Sequence, residues 1–379
     1  MIPFNKPYLS GKETTYIQEA VNSGHLCGNG DFTKKCQHFF EKKYNFNKCL
    51  LTSSCTDALE MASILIDIEP GDEVIIPSYT FVSTANAFVL RGAKIIFCDS
   101  REDHPGINEE LIESLITKKT KAIVIVHYAG IACDMDKVQA ISKKHNIFLI
   151  EDAAQAIDNY YISRDGTKKA LGSFGHLSAF SFHESKNIIA GEGGMLVIND
   201  KSFEHRAEII WEKGTNRSSF YRGEVDKYGW VDVGSSFLPS ELTAAFLWAQ
   251  LENIEVIQQK RLETWDIYYS ELKSWAYSNN IKLPFVPTYS TNNAHMFYLI
   301  CENINQRNHI IQSMRLKDID VVFHYQNLEK SKYYEHKHDG RTLVQSEKYT
   351  NCLIRLPLFY TITKEEIHSV ISNLISIQF

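Results

Sequence analysis

Between roughly residues 50 and 200, short apolar runs alternate with stretches of helical periodicity. The runs are EVIIP from Glu73 to Pro77, KIIFCD from Lys94 to Asp99, AIVIVH from Ala122 to His127, and IFLIED from Ile147 to Asp152. Each is nearly continuous in apolar residues, as strands buried on both faces are. Their starts lie roughly 20 to 30 residues apart, which suits strand–helix–strand crossovers. Asn108 and Asp134 are good N-cap types, and Met135, Val138 and Ile141 follow Asp134 at helical spacing. The pattern predicts an α/β fold, a mostly parallel sheet with helices on both faces. In that register Asp99, His127 and Asp152 fall at the carboxyl ends of strands, where open α/β sheets place ligands. Two further strands, Leu177–Phe182 and Met195–Ile198, are predicted to flank the segment from His183 to Gly194. Past about residue 255 the pattern loosens into helices and short strands. The expected division is a large domain over 1–255 and a smaller α+β domain over 256–379.

The chain has 379 residues, enough for two such units, with 44% hydrophobic and 23% charged residues, as in ordinary soluble proteins. A net charge of -6 argues against a general nucleic-acid binder. No apolar run has the roughly 18 residues of a membrane span, and the N-terminus lacks the basic-then-apolar pattern of a secretory signal. The eight cysteines are scattered, with no CxxC pair, so neither a disulfide framework nor a metal site is expected. A reduced cytoplasm is the expected setting.

Four chemistry-bearing features remain. Asp152, in Glu151-Asp-Ala-Ala-Gln155, is a carboxylate at the end of an apolar strand and calls for a cationic or hydrogen-bonding partner. The plain alternative is a helix N-cap, just as Gln155 alone would be a surface glutamine. Lys186, in Ser181-Phe-His-Glu-Ser-Lys186, follows a strand and precedes Gly191-Glu-Gly-Gly194, whose glycines let backbone approach a ligand. Most lysines, by contrast, are solvated surface groups. Thr52-Ser-Ser-Cys-Thr-Asp-Ala58 opens a helix, and its free N–H groups with the Ser54 and Thr56 hydroxyls form an anion site or a simple cap. Ser181 adds a hydroxyl, and Phe81 a flat ring that would more ordinarily pack in the core. An amine, a strand-end carboxylate, an anion cup and a flat group are what pyridoxal 5'-phosphate (PLP) asks of a protein. No strand is followed by GxGxxG, which disfavours a dinucleotide-binding oxidoreductase.

The order of these features resembles the DegT/DnrJ/EryC1/StrS family of PLP-dependent sugar aminotransferases, over essentially the whole chain. The likeness runs through Gly24–Gly30, Phe40–Tyr44, Pro70–Ser78, Asp152 with Gln155, Ser181 with Lys186, and Gly191–Gly194. Ser78–Lys94 and Ala207–Arg217 are most like the branch that makes dTDP-4-amino-4,6-dideoxygalactose. The resemblance implies a fold-type I aminotransferase, active as a homodimer with shared sites. It implies Lys186 as the Schiff-base lysine and proton carrier, Asp152 at the pyridine nitrogen, Gln155 at the ring oxygen and Phe81 over one ring face. It places Ser54, Cys55, Thr56 and Ser181 around the phosphate, and Tyr79, Arg217, His324 and Glu329 near the substrate. Lysine at 186 matters because relatives with histidine there deoxygenate or dehydrate instead.

The expected reaction moves an amino group from L-glutamate to dTDP-4-keto-6-deoxy-D-glucose, for surface polysaccharide (O-antigen) synthesis. A 3-keto sugar, the gluco epimer, or a non-enzymatic PLP-fold regulator are the alternatives. Two departures from the family pattern stand out. The stretch Phe237-Leu-Pro239 replaces a Tyr-Asn-Met whose asparagine reaches the neighbouring subunit's cofactor phosphate, leaving Ser235 and Ser236 as the nearby hydroxyls. His324-Tyr-Gln-Asn-Leu-Glu329 ends in glutamate where the family has histidine, which predicts an altered charge beside the sugar.

Overall fold

The computed structural model describes residues 1–379. Seven strands form the central sheet: β1 (Lys48–Thr52), β2 (Glu73–Pro77), β3 (Lys94–Cys98), β4 (Thr120–Val126), β5 (Phe148–Asp152), and, after the hairpin β6 (Tyr160–Ile162) and β7 (Lys168–Ala170), β8 (Leu177–Ser181) and β9 (Gly194–Ile198). Their order is β1-β9-β8-β5-β4-β2-β3. Neighbours pair in parallel from β3 to β8, while β9 runs antiparallel to both β8 and β1. This is the mostly parallel α/β sheet expected from the sequence, and the apolar runs mark it within a residue or two. β1 and the short hairpin were not predicted. β1 is a single edge strand held by one neighbour, and its sequence KCLLT merges into the hydroxyl-rich segment that follows.

Two apolar clusters cover the sheet's faces. One joins the N-terminal helices Glu13–Asn22 and Asp31–Tyr44 to Glu241–Leu251; the other holds Cys55–Leu65 and Val82–Val89 against alternate strand residues. A third core lies around β10 (Phe297–Ile300) and β11 (Leu353–Leu356), an antiparallel pair packed by the helices Ile304–Arg315 and Lys364–Ile375. Tyr79, Tyr128, Ala129 and Ile131 from the large sheet's loops belong to this third core, so the two halves meet where the strands end. The expected boundary at 255–256 falls inside one continuous helix, Ile254–Ser278. Its first turns pack on the large-sheet core (Ile254, Ile257) and its later ones on the small-sheet core (Trp265, Tyr268, Leu272). No helix is long and apolar enough to cross a membrane.

Candidate active site

The carboxyl ends of β4, β5 and β8 open on one chamber, and β5 shows how a strand delivers chemistry there. Successive side chains point to opposite faces, so Glu151 and Asp152 meet different surroundings. Glu151 is fully buried and accepts from His127 Nε2 at 2.9 Å, the N–H groups of Gly172, Phe174 and Gly175 at 2.8, 2.7 and 2.6 Å, and Ser178 Oγ at 3.2 Å. Burial pushes its pKa up, but those hydrogen bonds outweigh it and hold the carboxylate below its ordinary value. Asp152 is as deeply placed and far less served. Its carboxylate accepts from Thr84 Oγ1 at 2.7 Å and Ala154 N–H at 3.1 Å. No cation pairs with it directly, and burial raises its pKa, partly countered by Thr84, Ala154 and the Lys186 charge. No helix follows it, since residues 153–159 form turns, so the N-cap alternative does not apply.

Lys186 lies in the loop joining β8 to β9. That loop closes on itself through Phe182 N–H to Gly193 O, Ala190 N–H to Phe182 O and Glu184 N–H to Gly191 O. Asn187 anchors it, donating to Gln258 Oε1 and Asn293 O at 2.8 Å each and lying 2.8 Å from His295 Nδ1. The residue as a whole is half-buried, while its ammonium feels the interior. Burial pulls its pKa below the usual lysine value, opposed by the Cys55 thiol and Asp152. Amine and strand-end carboxylate are therefore near enough for each charge to act on the other.

The anion cup is built by close approach. Gly194 pairs with both Thr52 and Ser181, and a Cβ there would lie 2.3 Å from Ser54 C and 2.4 Å from Cys55 N. Only glycine lets the start of helix Cys55–Leu65 settle against the sheet. Ser54 caps that helix, accepting from Asp57 N–H at 3.1 Å, so the plain cap reading holds for its oxygen. The N–H groups of Cys55 and Thr56 stay free of intrachain acceptors and are directed as a helix N-terminus directs them. Thr56 Oγ1 lies 2.8 Å from Ser83 Oγ, tying this helix start to that of Val82–Val89. Buried Ser181 stands next to Gly194 in register, at the same strand end.

Gln155 is buried and oriented at both ends. Its Oε1 accepts from Ala129 N–H at 2.6 Å, and its Nε2 donates to Tyr325 Oη at 3.0 Å. The turn that presents Ala129 needs Gly130, whose φ is +80° and where a Cβ would lie 2.1 Å from Asn293 Oδ1. Phe81 is 55% exposed, so its ring is open rather than packed in the core, 6.1 Å from the Tyr325 ring. Tyr79, Tyr128 and Tyr325 form an aromatic wall with centroids 5.6 to 6.1 Å apart. The Tyr79 hydroxyl is buried with no partner. His324 stacks on Tyr325 at 3.5 Å, and its Nδ1 lies 2.6 Å from Tyr128 Oη. Burial drives its pKa well down, so the ring is neutral and takes the tyrosine's hydrogen bond.

Two predicted residues lie elsewhere. Glu329 is buried, with Ser78 Oγ donating to one carboxylate oxygen and Asn327 Nδ2 to the other at 2.6 Å. It clamps its loop to the end of β2, so the carboxylate is buried and bonded within the chain. Arg217 sits in a separate groove of about 980 Å³ with His25, Asn29, Lys48, Glu212 and Arg222, and donates to Tyr221 Oη at 2.9 Å. Asp152, Gln155, Phe81, Tyr325 and Lys186 do not line that groove. Ser236 lines it, while Ser235 N–H donates to Ile210 O. Thr84, Tyr325 and His295 were missed by sequence reasoning. Only Thr84 carried a signal, one helical turn after Phe81.

A buried carboxylate short of a cation, a desolvated lysine, a helix start with free N–H groups and an open aromatic ring fit PLP. The model of the DegT/DnrJ/EryC1/StrS aminotransferase family matches residues 7–375. GDP-perosamine synthase of Escherichia coli O157:H7 is 35% identical over 274 residues, 72% of each chain. An aminotransferase from Psychrobacter cryohalolentis superposes with a TM-score of 0.91 at 24% identity, covering 98% of both chains. Spr1654 of Streptococcus pneumoniae in its PLP form gives 0.88 at 24% identity, covering 99% of this chain and 98% of that one.

Proposed function

The chain belongs to the DegT/DnrJ/EryC1/StrS aminotransferase family, and from that premise we propose that it transfers an amino group from L-glutamate to a nucleotide-linked keto-sugar, with Lys186 as the reacting lysine. It is a PLP-dependent transaminase. When bound, PLP supplies an aldehyde that takes up amino groups and a protonated pyridine that draws off electron density.

The residues divide the work. The depressed pKa of Lys186 raises its share of free amine, the form that attacks an aldehyde or removes a proton. Once its amine is free, Lys186 would take the proton from the donor's amine-bearing carbon in the first half-reaction and would deliver a proton to the former carbonyl carbon of the sugar in the second. The face from which it delivers the proton sets the configuration. Asp152 holds the proton on the pyridine nitrogen, which supplies the cation its burial calls for. Gln155 fixes the ring oxygen, Phe81 covers a ring face, and Cys55, Thr56, Ser54 and Ser181 hold the phosphate. We assign Tyr79, whose buried hydroxyl has no partner, and neutral His324 to the sugar's hydroxyls.

Our reading of the sugar is dTDP-4-keto-6-deoxy-D-glucose, going to dTDP-4-amino-4,6-dideoxy-D-galactose for surface polysaccharide. It is supported by the segments 78–94 and 207–217. A GDP-linked sugar is the second reading, favoured by the relative named for GDP-perosamine. A homodimer, with residues 214–222 reaching the neighbouring site, completes the proposal.

The observation that carries this function is the cation-poor, buried Asp152 facing desolvated Lys186 across a helix start with free N–H groups. Borohydride reduction of the yellow, PLP-loaded protein should fix the cofactor on the peptide containing residue 186. A label on any other lysine overturns the assignment.

A further inference from the structure

Lys186 is followed in sequence by a side chain held on all sides. Asn187 is buried, and its amide nitrogen donates to Asn293 O and to Gln258 Oε1 at 2.8 Å each. A backbone oxygen can only accept, so the amide nitrogen is fixed there and the amide oxygen is left for His295 Nδ1, 2.8 Å away. That oxygen also can only accept. The His295 proton therefore sits on Nδ1, and Nε2 carries a bare lone pair. Nε2 has no partner in the chain, yet it is not sealed off as the Tyr79 hydroxyl and the Trp275 indole nitrogen are.

The ring is held in a strained setting. Ala294, just before it, has a φ of +49°, in the left-handed region that a Cβ disfavours. Most other such residues of the chain are Asn or Asp, which tolerate it, and the one other alanine is Ala129, whose N–H orients Gln155. Buried Arg261 pins the turn, its Nε donating to Ala294 O at 3.1 Å and its Nη2 to His295 O at 2.6 Å. Asn293 Oδ1 accepts from His295 N–H at 3.1 Å, while its Nδ2 donates to Gln155 O and Ile157 O. The imidazole, the Gln155 turn and the Lys186 loop thus share one frame. Burial keeps the ring neutral, its pKa pushed well below the usual histidine value, and the charges of Lys186, Arg261 and Arg355 act in the same direction. His324 is the opposite case. Its Nδ1 takes the Tyr128 bond, so its proton is on Nε2.

We propose that His295 Nε2 is the partner of the Lys186 amine whenever that amine is released from the cofactor, accepting one of its N–H groups and so aiming its lone pair at the reacting carbon. A neutral acceptor suits this task better than a carboxylate. A carboxylate would raise the lysine's pKa and hold it as ammonium, which has no lone pair to take a proton. An imidazole nitrogen accepts the hydrogen bond and leaves the amine basic. His295 is a positioning residue acting through Lys186, and the proposal rests on Lys186 being the reacting lysine.

The test uses the native protein in its PLP and pyridoxamine phosphate forms, with His295→Asn and His295→Gln. An asparagine nitrogen stands where Nδ1 stands, so His295→Asn keeps the bond to Asn187 and removes only the acceptor. Glutamine does the converse. ¹⁵N NMR of imidazole-labelled native protein should find the proton on Nδ1. The Nε2 signal should move upfield from the PLP to the pyridoxamine phosphate form, and should not move in Lys186→Ala. At saturating glutamate, His295→Asn should slow the loss of PLP absorbance, and the exchange of the donor's α-hydrogen with deuterated solvent, about fivefold to tenfold, as for one lost hydrogen bond. Half-saturating glutamate, PLP affinity and melting temperature should stay near native. His295→Gln should fall between the two in rate and melt lower. An Nε2 signal that is the same in both cofactor forms, or a proton on Nε2, overturns the proposal, as does a native rate in folded His295→Asn. If neither variant folds, the NMR comparison on native protein decides. A borohydride label away from residue 186 would sink the lysine assignment, whereas a label on 186 with an unmoved Nε2 signal sinks this proposal alone.

Discussion

Asp152 and its neighbour Glu151 show how far a residue's role depends on what it lacks. The two carboxylates adjoin on one strand, and only the one without enough donors is left to hold a cation. Their placement at a strand end was readable from the IFLIED run, because a buried parallel strand is nearly unbroken in apolar residues. Which of the two faces the chamber was not, since Glu151's donors come from residues 127 and 172–178. The same limit hid the tie of Tyr325 to Gln155, 170 residues away in sequence, and that of Glu329 to Ser78, 251 residues away. Asp152→Asn follows from this scale. A neutral amide cannot keep a pyridine nitrogen protonated, so turnover should fall about a hundredfold or more. Stability should move the other way in the cofactor-free protein. The raised pKa of Asp152 means its contribution is full below the ordinary carboxylate pKa and is lost as pH rises through the raised value. Cofactor-free Asp152→Asn should therefore melt above the cofactor-free native protein near neutrality, with the gap closing in acid. Near-native turnover, or a gap that widens in acid, would remove the ring-nitrogen role.

At the scale of elements, the site is an outcome of strand ends and one glycine. The strand–helix alternation was legible because a buried strand and an amphipathic helix have different periods, and Asn108 and Asp134 do cap the helices predicted after them. The approach of helix Cys55–Leu65 to β9 was not legible, because a glycine chosen for the absence of a Cβ looks like any loop glycine. Gly194→Ala tests it. The added methyl would meet backbone at 2.3 to 2.4 Å, so the helix start must back away from the sheet. We expect a stability loss of about 1–3 kcal/mol and PLP affinity down by about tenfold or more, measured by melting and by cofactor titration. Unchanged PLP affinity in a folded Gly194→Ala protein would show that this helix start does not hold the phosphate.

Across the whole molecule, the chamber lies between the large sheet and the small one, and one stretch of surface is unfinished. Phe220, Tyr221, Tyr228, Val231 and Val233 are exposed around Trp230, which is 85% exposed. The homodimer reading assigns this exposed apolar surface to a second copy of the chain. The homodimer reading predicts that Trp230→Lys sediments as a monomer and loses most activity, because residues 214–222 no longer reach a neighbouring site. A fully active monomer, native or variant, would end that reading. The family was legible in the sequence, whereas the sugar and the homodimer rest on resemblance and proposal, since no local pattern records which surfaces meet a substrate or a second chain. The most direct test of the account is to supply the purified, PLP-loaded protein with ¹⁵N-labelled L-glutamate and a panel of dTDP- and GDP-linked 3-keto and 4-keto sugars, and to examine the products by NMR. The account predicts ¹⁵N bonded to C4 of the dTDP-linked 6-deoxy sugar in the galacto configuration, with 2-oxoglutarate formed in equal amount and no product from Lys186→Ala. Label at C4 of a GDP-linked sugar alone would change the nucleotide, and no label on any keto-sugar would contradict the central claim.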